Sequence, residues 1–420
     1  MSRGAGRRLR EALSTQSTPK TPRAPSGPRV IVVGGSLGGL TAGLVLRDAG
    51  CDVHVYERSR SALEGRGAGI AVLDATLRYF VEHGIADPAE VCTSTGWIRY
   101  LHADGSVHYE EKHCYRFSSW NTIYRGLLSR FDQARYHLGE EMTGFEANPS
   151  GDAVDVFFGD GRVEQADLLV CADGIGSTCR QHLLPDVAPA YAGYVAWRGT
   201  IPEATLRPES YEVLWDAITY QLLANSHILV YPIPGAGGEL EPGRRLVNFV
   251  WYRNVDAGGA LTDLMTDRGG VHRPASLPPG AVQDRHVEEV RATAAAELAP
   301  PIAEVVLSTP EPFVQVIFDI EVPVMAFGRV CLMGDAAFAV RPHAAAGTAK
   351  AAADAWALAE AVADAGGDVV EALRRWEPGQ LALGSQLIAR AREIGNRSQF
   401  EGTWIPGDRK LIFGLYEPGR

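Results

Sequence analysis

Three glycine- and aspartate-bearing turns, far apart in the chain, carry the residue types from which a nucleotide site is made. The first is VVGGSLGGL, Val32 to Leu40. A G-x-G-x-x-G turn between a strand and a helix lets the backbone approach a pyrophosphate, and the helix start adds free N–H groups and positive potential. Gly34 holds the first position and Gly39 the third. Ser36 takes the second, where it still exposes backbone and brings a hydroxyl, with Leu37 next to it. Glu57 ends the following strand, 23 residues after Gly34, where a carboxylate can accept hydrogen bonds from an adenosine ribose. Arg58 follows, either as an exposed side chain or as a contact to a 2′-phosphate. A structural glycine turn is the alternative, and a strand, helix and acid in register argue against it.

The second turn, CADGIGSTCR, delivers Asp173-Gly174 from an apolar strand to a helix starting near Ser177. Taken alone, it is a common strand-to-helix turn. In the third, GRVCLMGDAA brings Gly334 and Asp335 to the end of another apolar strand. A carboxylate there needs a partner. A ligand hydroxyl would serve, and so would a helix N-terminus. Beyond it, RPHAAAGTAKAAADAW places Pro342, His343 and a bare Gly347 at the start of an Ala-rich helix. That helix is either simply capped or faces something electron-rich.

The elements needed to position these turns can be read along the chain. RVIVVGG is a buried strand, LGGLTAGLVLRDAG a helix ending at Gly50, and CDVHVYER a second strand, which together make a βαβ unit. Hairpins are expected at Asp104-Gly105 and Asp160-Gly161. Strand-like runs YVAWRGTI, AITYQLLANSHILVYPIP and RLVNFVWYRNV suggest a separate antiparallel sheet. Residues 256–280 read as loop and 284–298 as helix.

The fold class expected is α/β. A Rossmann-like, doubly wound parallel sheet is joined to an interleaved, mostly antiparallel substrate sheet. The boundaries expected are a basic disordered tail over 1–28, a first cofactor-binding part over 29–185, the substrate sheet over 186–322, a return segment over 323–400 and a C-terminal tail over 401–420. The first segment holds six basic residues against one acid, Glu11, and lacks the apolar core of a secretory signal.

The 420-residue chain is 46% hydrophobic and 22% charged, as in soluble globular proteins. A net charge of −11 argues against a nucleic-acid partner. No apolar run is long enough to span a membrane. Six cysteines lack metal-site spacing and are read as reduced thiols of a cytoplasmic protein, with Cys171 and Cys331 in the core.

In this order and spacing, the three turns resemble those of the class A aromatic-ring hydroxylases, the single-component flavoprotein monooxygenases of the p-hydroxybenzoate hydroxylase-like superfamily. The resemblance runs from Arg29 to Gly395. VVGGSLGGL, AGYVAWRGT, LVYPIPG, LMTD and RPHAAAGTAK are similar to the 2,6-dihydroxypyridine 3-monooxygenase branch. Ser36 fits that branch, as does Phe338 where many relatives carry His.

The resemblance implies FAD, NADH or NADPH as co-substrate, and oxygen delivered to an electron-rich ring from a flavin hydroperoxide. Asp335 would hold a ribityl hydroxyl, and Arg125 stands where wider relatives place a flavin-contacting arginine. Gly67 and Gly69 are assigned to the cofactor with them. The N–H groups of Ala346, Gly347 and Thr348, approached through rigid Pro342, would stabilise the charge of reduced flavin. A single dinucleotide fingerprint argues against a separate NAD(P)H domain.

Candidate substrate-wall residues lie on the second sheet. His227, Leu229 and Tyr231 share one face, with Tyr220 on the preceding strand. Trp197 and Trp251 are read as sheet packing. His343 either polarises a substrate hydroxyl or donates to a backbone carbonyl. The leading reaction is 2,6-dihydroxypyridine to 2,3,6-trihydroxypyridine. Rivals are hydroxylation of 6-hydroxynicotinate, urate or a biosynthetic phenol, a flavin oxidase or halogenase, and a flavin redox sensor or scaffold without turnover. A carboxylated substrate would want Arg198 facing inward. No metal is expected, and a homodimer is expected by analogy alone.

Overall fold

The computed structural model describes residues 27–63 and 69–420. The expected disordered tail, up to residue 26, and Gly67 lie outside them.

A six-stranded sheet is ordered Ala326–Phe327, Val330–Leu332, Leu168–Cys171, Arg29–Val33, Asp52–Glu57 and Tyr136–Leu138. All its pairings are parallel except the first hairpin. Its central strands are short, apolar and almost wholly buried, as a sheet covered on both faces requires. Val33 pairs with Cys171, and Cys171 with Leu332. Three adjacent strands therefore end together, and the Gly34, Asp173 and Gly334 turns leave side by side from one edge. Ligands of open α/β sheets bind at such an edge.

Two helices cover this edge. Leu37–Asp48 and the Ala-rich Gly347–Asp364 pack so closely that a Cβ on Gly38 would sit 3.2 Å from the Ala351 Cβ. The helix Val369–Asn396 packs outside them.

A ten-stranded, mostly antiparallel sheet forms the second layer. Its centre is Ala190–Pro202, Leu246–Asn254, Ser226–Ile233 and Ala217–Leu223. The 217–234 run breaks into two strands at Ala224-Asn225, where Asn225 takes φ 54°, a left-handed conformation that asparagine tolerates. This sheet takes strands from both sides of residue 186: Thr93–Leu101 pairs in parallel with Ala217–Leu223 and continues into Val107–Ser119. One face of the sheet packs on the helices Asp284–Glu297 and Pro300–Ser308, with Trp197 and Trp251 in that core. The other face looks toward the parallel sheet.

Residues 256–280 contain a short helix, Gly259–Leu264, where loop was expected. Residues 401–420, expected to be a tail, fold back onto the molecule, with Leu411, Phe413 and Leu415 buried. Among the described residues no helix is long and apolar enough to cross a membrane, and no cluster of side chains could hold a metal ion.

Candidate active site

The first turn has little freedom in its sequence. Gly34 takes φ 102°, and a Cβ there would lie 2.3 Å from the Ala172 carbonyl oxygen. A Cβ on Gly39 would lie 1.8 Å from the Gly34 oxygen. Ser36 stands at the N-cap of Leu37–Asp48 without capping it, and the first helical turn has no acid. The N–H groups at this end are thus left for another partner. Glu57 accepts from the Gly35 N–H at 2.9 Å and the Ser59 N–H at 2.8 Å, so its buried carboxylate is held in place with lone pairs to spare.

Asp173 accepts from Ser177 Oγ at 2.5 Å and the Cys179 N–H at 3.1 Å, organising the start of Thr178–Leu183 while also lining the site. Asp335 differs. Its carboxylate accepts no hydrogen bond among the described residues and faces a cavity. It can be reached through that cavity, yet the surrounding protein removes enough water to raise its pKa, partly offset by Lys350.

At the third turn Ala345 takes φ 56°, which re-aims the chain into Gly347–Asp364. Ala346 stands at the N-cap with no side-chain cap. A Cβ on Gly347 would meet nothing within 4 Å, so the helix start opens onto free space. Thr348 Oγ1 lies 3.3 Å from Thr76 Oγ1.

These groups line two cavities that share Ser36, Trp120, Ala172 and Gly174. One, of about 310 Å³, holds Gly34, Glu57, Arg58 and Asp173. The other, of about 360 Å³, holds Leu37, Gly69, Asp335, Pro342 and the Ala346–Thr348 helix start. Together they form a channel with the Glu57 carboxylate at one end and two uncapped helix N-termini toward the other. The unpartnered Asp335, the open space at Gly347 and the crowding at Gly34 suit a long, anionic dinucleotide. Arg125 lies on Trp120–Leu128, exposed, and lines neither cavity.

The far end of the second cavity is walled by the large sheet. Leu229, Tyr231, Val250 and Tyr252 line it, with Phe117 and Ile317. Tyr231 donates to the Gly69 oxygen at 3.0 Å and stacks on Phe117 at 4.2 Å. A Cβ on Gly69 would lie 2.9 Å from the Tyr231 ring, which explains the glycine. Arg198 also faces this cavity. Its Nη2 donates to the Gly69 oxygen at 2.6 Å and its Nη1 to Gln315 Oε1 at 2.9 Å, while its buried Nε has no partner among the described residues.

Three expected wall residues lie behind this surface. His343 is buried, with Nε2 2.7 Å from Tyr194 Oη and its ring 4.6 Å from that of Tyr252. His227 lies 3.2 Å from Gln399 Nε2 and under the Trp404 ring. Tyr220 is stacked between Tyr100, at 4.9 Å, and Trp404, at 6.2 Å. Burial lowers the pKa of His227 to about 3 and that of His343 well below the usual range, so both are neutral near pH 7. Neither histidine lines the cavity: Gln399 and Trp404 cover His227, and His343 packs on Tyr194, Tyr252 and Gly395. Phe413, which lines the cavity, was not singled out in the sequence. Nothing in its local pattern marks it.

A parallel sheet with this glycine turn, a carboxylate on the next strand and a second sheet closing the channel defines a dinucleotide-binding flavoprotein fold. Comparison with known proteins agrees. A model of the FAD binding domain matches residues 28–207, and one described as FAD binding domain-like matches 191–319. The chain is 38% identical over 393 residues to the 2,6-dihydroxypyridine 3-monooxygenase of Paenarthrobacter nicotinovorans, covering 92% of this chain and 96% of that one. It is 25% identical to the 6-hydroxynicotinate 3-monooxygenase of Bordetella bronchiseptica, covering 90% and 92%. The solved 2,6-dihydroxypyridine-3-hydroxylase from Arthrobacter nicotinovorans superposes with a TM-score of 0.88 at 36% identity, covering 94% of this chain and 99% of that one. The chain belongs to the class A flavoprotein aromatic hydroxylases and is a single-component, FAD-dependent aromatic monooxygenase.

Proposed function

We propose that this monooxygenase hydroxylates a single hydroxylated N-heteroaromatic ring, with 2,6-dihydroxypyridine at carbon 3 as the leading substrate and NADH or NADPH as reductant. The observation that carries this reading is the substrate end itself. It is a space walled by Tyr231, Tyr252, Phe117 and aliphatic side chains, with Arg198 as the cation on its wall.

When bound, FAD supplies the two-electron chemistry and the activated oxygen. The chain's residues hold the parts. Glu57 offers acceptors to a ribose, and Asp335 to a ribityl hydroxyl. The N–H groups at Ala346, Gly347 and Thr348 would supply positive potential to a flavin ring bound at this helix start. The aromatic wall excludes water from the reacting centre. The Arg198 guanidinium favours the ionised form of a ring hydroxyl, which makes the ring carbon more electron-rich.

Arg198 also supports a second reading, a carboxylated ring such as 6-hydroxynicotinate. Its Nη1 and Nη2 each already donate, to Gln315 and Gly69, which leaves its charge in place but hinders the bidentate pairing a carboxylate would use, and this favours the uncarboxylated ring. A cytoplasmic homodimer goes with the leading reading as part of the same proposal.

The test is NADH and NADPH oxidation by the FAD-loaded enzyme, with product mass, for both rings. Rapid oxidation with 2,6-dihydroxypyridine and a product heavier by one oxygen is the expected result. Turnover of 6-hydroxynicotinate alone would move the assignment to the carboxylated ring. Slow, substrate-independent oxidation with both would remove this substrate class.

A further inference from the structure

The C-terminal segment completes the substrate cavity. Trp404 lies over His227 and Tyr220 and donates from Nε1 to Tyr100 Oη at 3.2 Å. Further on, the Phe413 N–H donates to Tyr115 Oη at 3.1 Å, and the two rings stack at 4.4 Å. The Gly414 N–H donates to the Ala344 oxygen at 3.2 Å. Arg390 Nη1 donates to the Gly414 oxygen at 2.9 Å, and its Nη2 to the Ile412 oxygen. The last residues lock the strap: the Gly419 N–H donates to the Phe413 oxygen at 2.8 Å, and the Leu415 N–H to the Arg420 oxygen at 2.7 Å.

The strap is therefore fixed to both walls of the cavity. Tyr115 belongs to the large sheet, and Ala344 to the loop that presents the Gly347 helix start. Phe413 enters the gap between them, 7% exposed, and forms part of the cavity surface beside Ala345. Its ring stacks on Tyr115 and is largely buried, which holds it in place as part of the wall.

We propose that Phe413 is a specificity-determining residue, carried into the cavity by the C-terminal strap to limit the site to a small, flat aromatic ring. This rests on the aromatic substrate class proposed above, but it does not require 2,6-dihydroxypyridine itself. Opposite changes in side-chain volume at position 413 have opposite consequences. Phe413→Ala opens the cavity and removes an aromatic contact, whereas Phe413→Trp narrows it. A packing role alone would impair both variants in the same way.

The experiment uses the FAD-loaded full chain with Phe413→Ala, Phe413→Leu and Phe413→Trp. Iodide quenching of the bound flavin's fluorescence reads access to the cavity without any substrate. It is expected to rise severalfold in Phe413→Ala and to fall or stay unchanged in Phe413→Trp. Titration of the flavin absorbance with 2,6-dihydroxypyridine is expected to give a Kd about tenfold weaker for Phe413→Ala, with much of the loss recovered in Phe413→Leu. A methylated dihydroxypyridine is expected to gain on the parent ring in Phe413→Ala and to lose to it in Phe413→Trp.

Unchanged quenching in both Phe413→Ala and Phe413→Leu would overturn the proposal, whatever the substrate. So would the same preference between the two rings in Phe413→Ala and Phe413→Trp. If the parent enzyme binds neither ring but quenching changes as expected, the wall stands and the substrate assignment fails. Should Phe413→Ala not fold, Phe413→Leu and Phe413→Trp decide.

Discussion

Lys350 Nζ lies 2.7 Å from Asp354 Oδ2, with both side chains buried one helical turn apart. The same oxygen accepts the Gly334 N–H at 2.9 Å, so the ion pair is tied to the turn that presents Asp335. Asp354 Oδ1 has no partner among the described residues. Burial raises the Asp354 pKa, and Lys350 works against that rise.

Removing one member of a buried pair typically costs about 3–5 kcal/mol. Lys350→Met is expected to destabilise the protein by about that much near neutral pH. The sign of its pH dependence follows from the raised pKa. A carboxyl with a raised folded pKa favours the folded state at low pH, and that contribution is lost as pH rises through the folded value. Without Lys350 the pKa climbs further. Urea unfolding should therefore show a larger deficit at about pH 8 than at about pH 5. Equal deficits at the two pH values would mean that Asp354 is not the group left charged.

Gly39→Ala places a Cβ 1.8 Å from the Gly34 oxygen, which is backbone and cannot move aside cheaply. The loop must open, and with it the helix start that faces the channel. We expect the variant to lose FAD on purification, with affinity reduced by more than about 2 kcal/mol, roughly thirtyfold. FAD content and fluorescence titration measure this. Full FAD retention would exclude this turn as the pyrophosphate contact.

Asp335→Ala gives a different signature, because the carboxylate accepts no hydrogen bond among the described residues. Removing a charge that is costly to desolvate should leave the apoprotein as stable as before, or slightly more stable. FAD affinity should fall by about 1.5–3 kcal/mol, the range for a hydrogen bond to a charged group. Thermal unfolding of the apoprotein and FAD titration together read both halves. A variant with weakened apoprotein and intact FAD affinity would reassign Asp335 to fold stability.

The three turns were legible in the sequence because local backbone geometry dictates their residue types. Gly34 needs positive φ, Gly39 lies against a carbonyl, and Asp335 ends an apolar strand where its charge calls for a partner. Side-by-side parallel strands then bring the turns to one edge. The aromatic wall of the second cavity was less legible. Alternation along Ser226–Ile233 correctly puts His227, Leu229 and Tyr231 on one face, but it does not show how much of that face is covered. Trp404, more than a hundred residues later, covers the His227 end and leaves Leu229 and Tyr231 to line the cavity. The sequence places His343 beside Pro342 at the third turn, with either a substrate hydroxyl or a backbone carbonyl as its partner. The turn at Pro342–Ala344 directs its side chain inward to Tyr194 instead. Phe413 sits in a stretch with neither periodicity nor motif, so long-range packing alone reveals it.

The buried histidines set an acid limit on stability. Burial lowers the pKa of His227 to about 3, and its ring lies against Tyr252 and Trp404, with Gln399 Nε2 at 3.2 Å from Nδ1. In the unfolded chain the same imidazole titrates near about 6.5. A depressed folded pKa means that its contribution is fully present above the unfolded value and is lost as pH falls toward the folded one. Between about pH 6.5 and about 3, His227 therefore removes up to about 1.4 kcal/mol of stability per pH unit, the effect of one proton taken up on unfolding. His343, whose pKa is also lowered by burial, adds to the same slope. His227→Gln keeps a polar group of similar reach but cannot be protonated. It is expected to start from lower stability at neutral pH and then to fall less steeply on acidification, by about one proton's slope. Denaturant unfolding at a series of pH values from about 7 to about 4 measures this directly. If both proteins show the same slope, His227 binds a proton while folded, and water must reach it beneath Trp404.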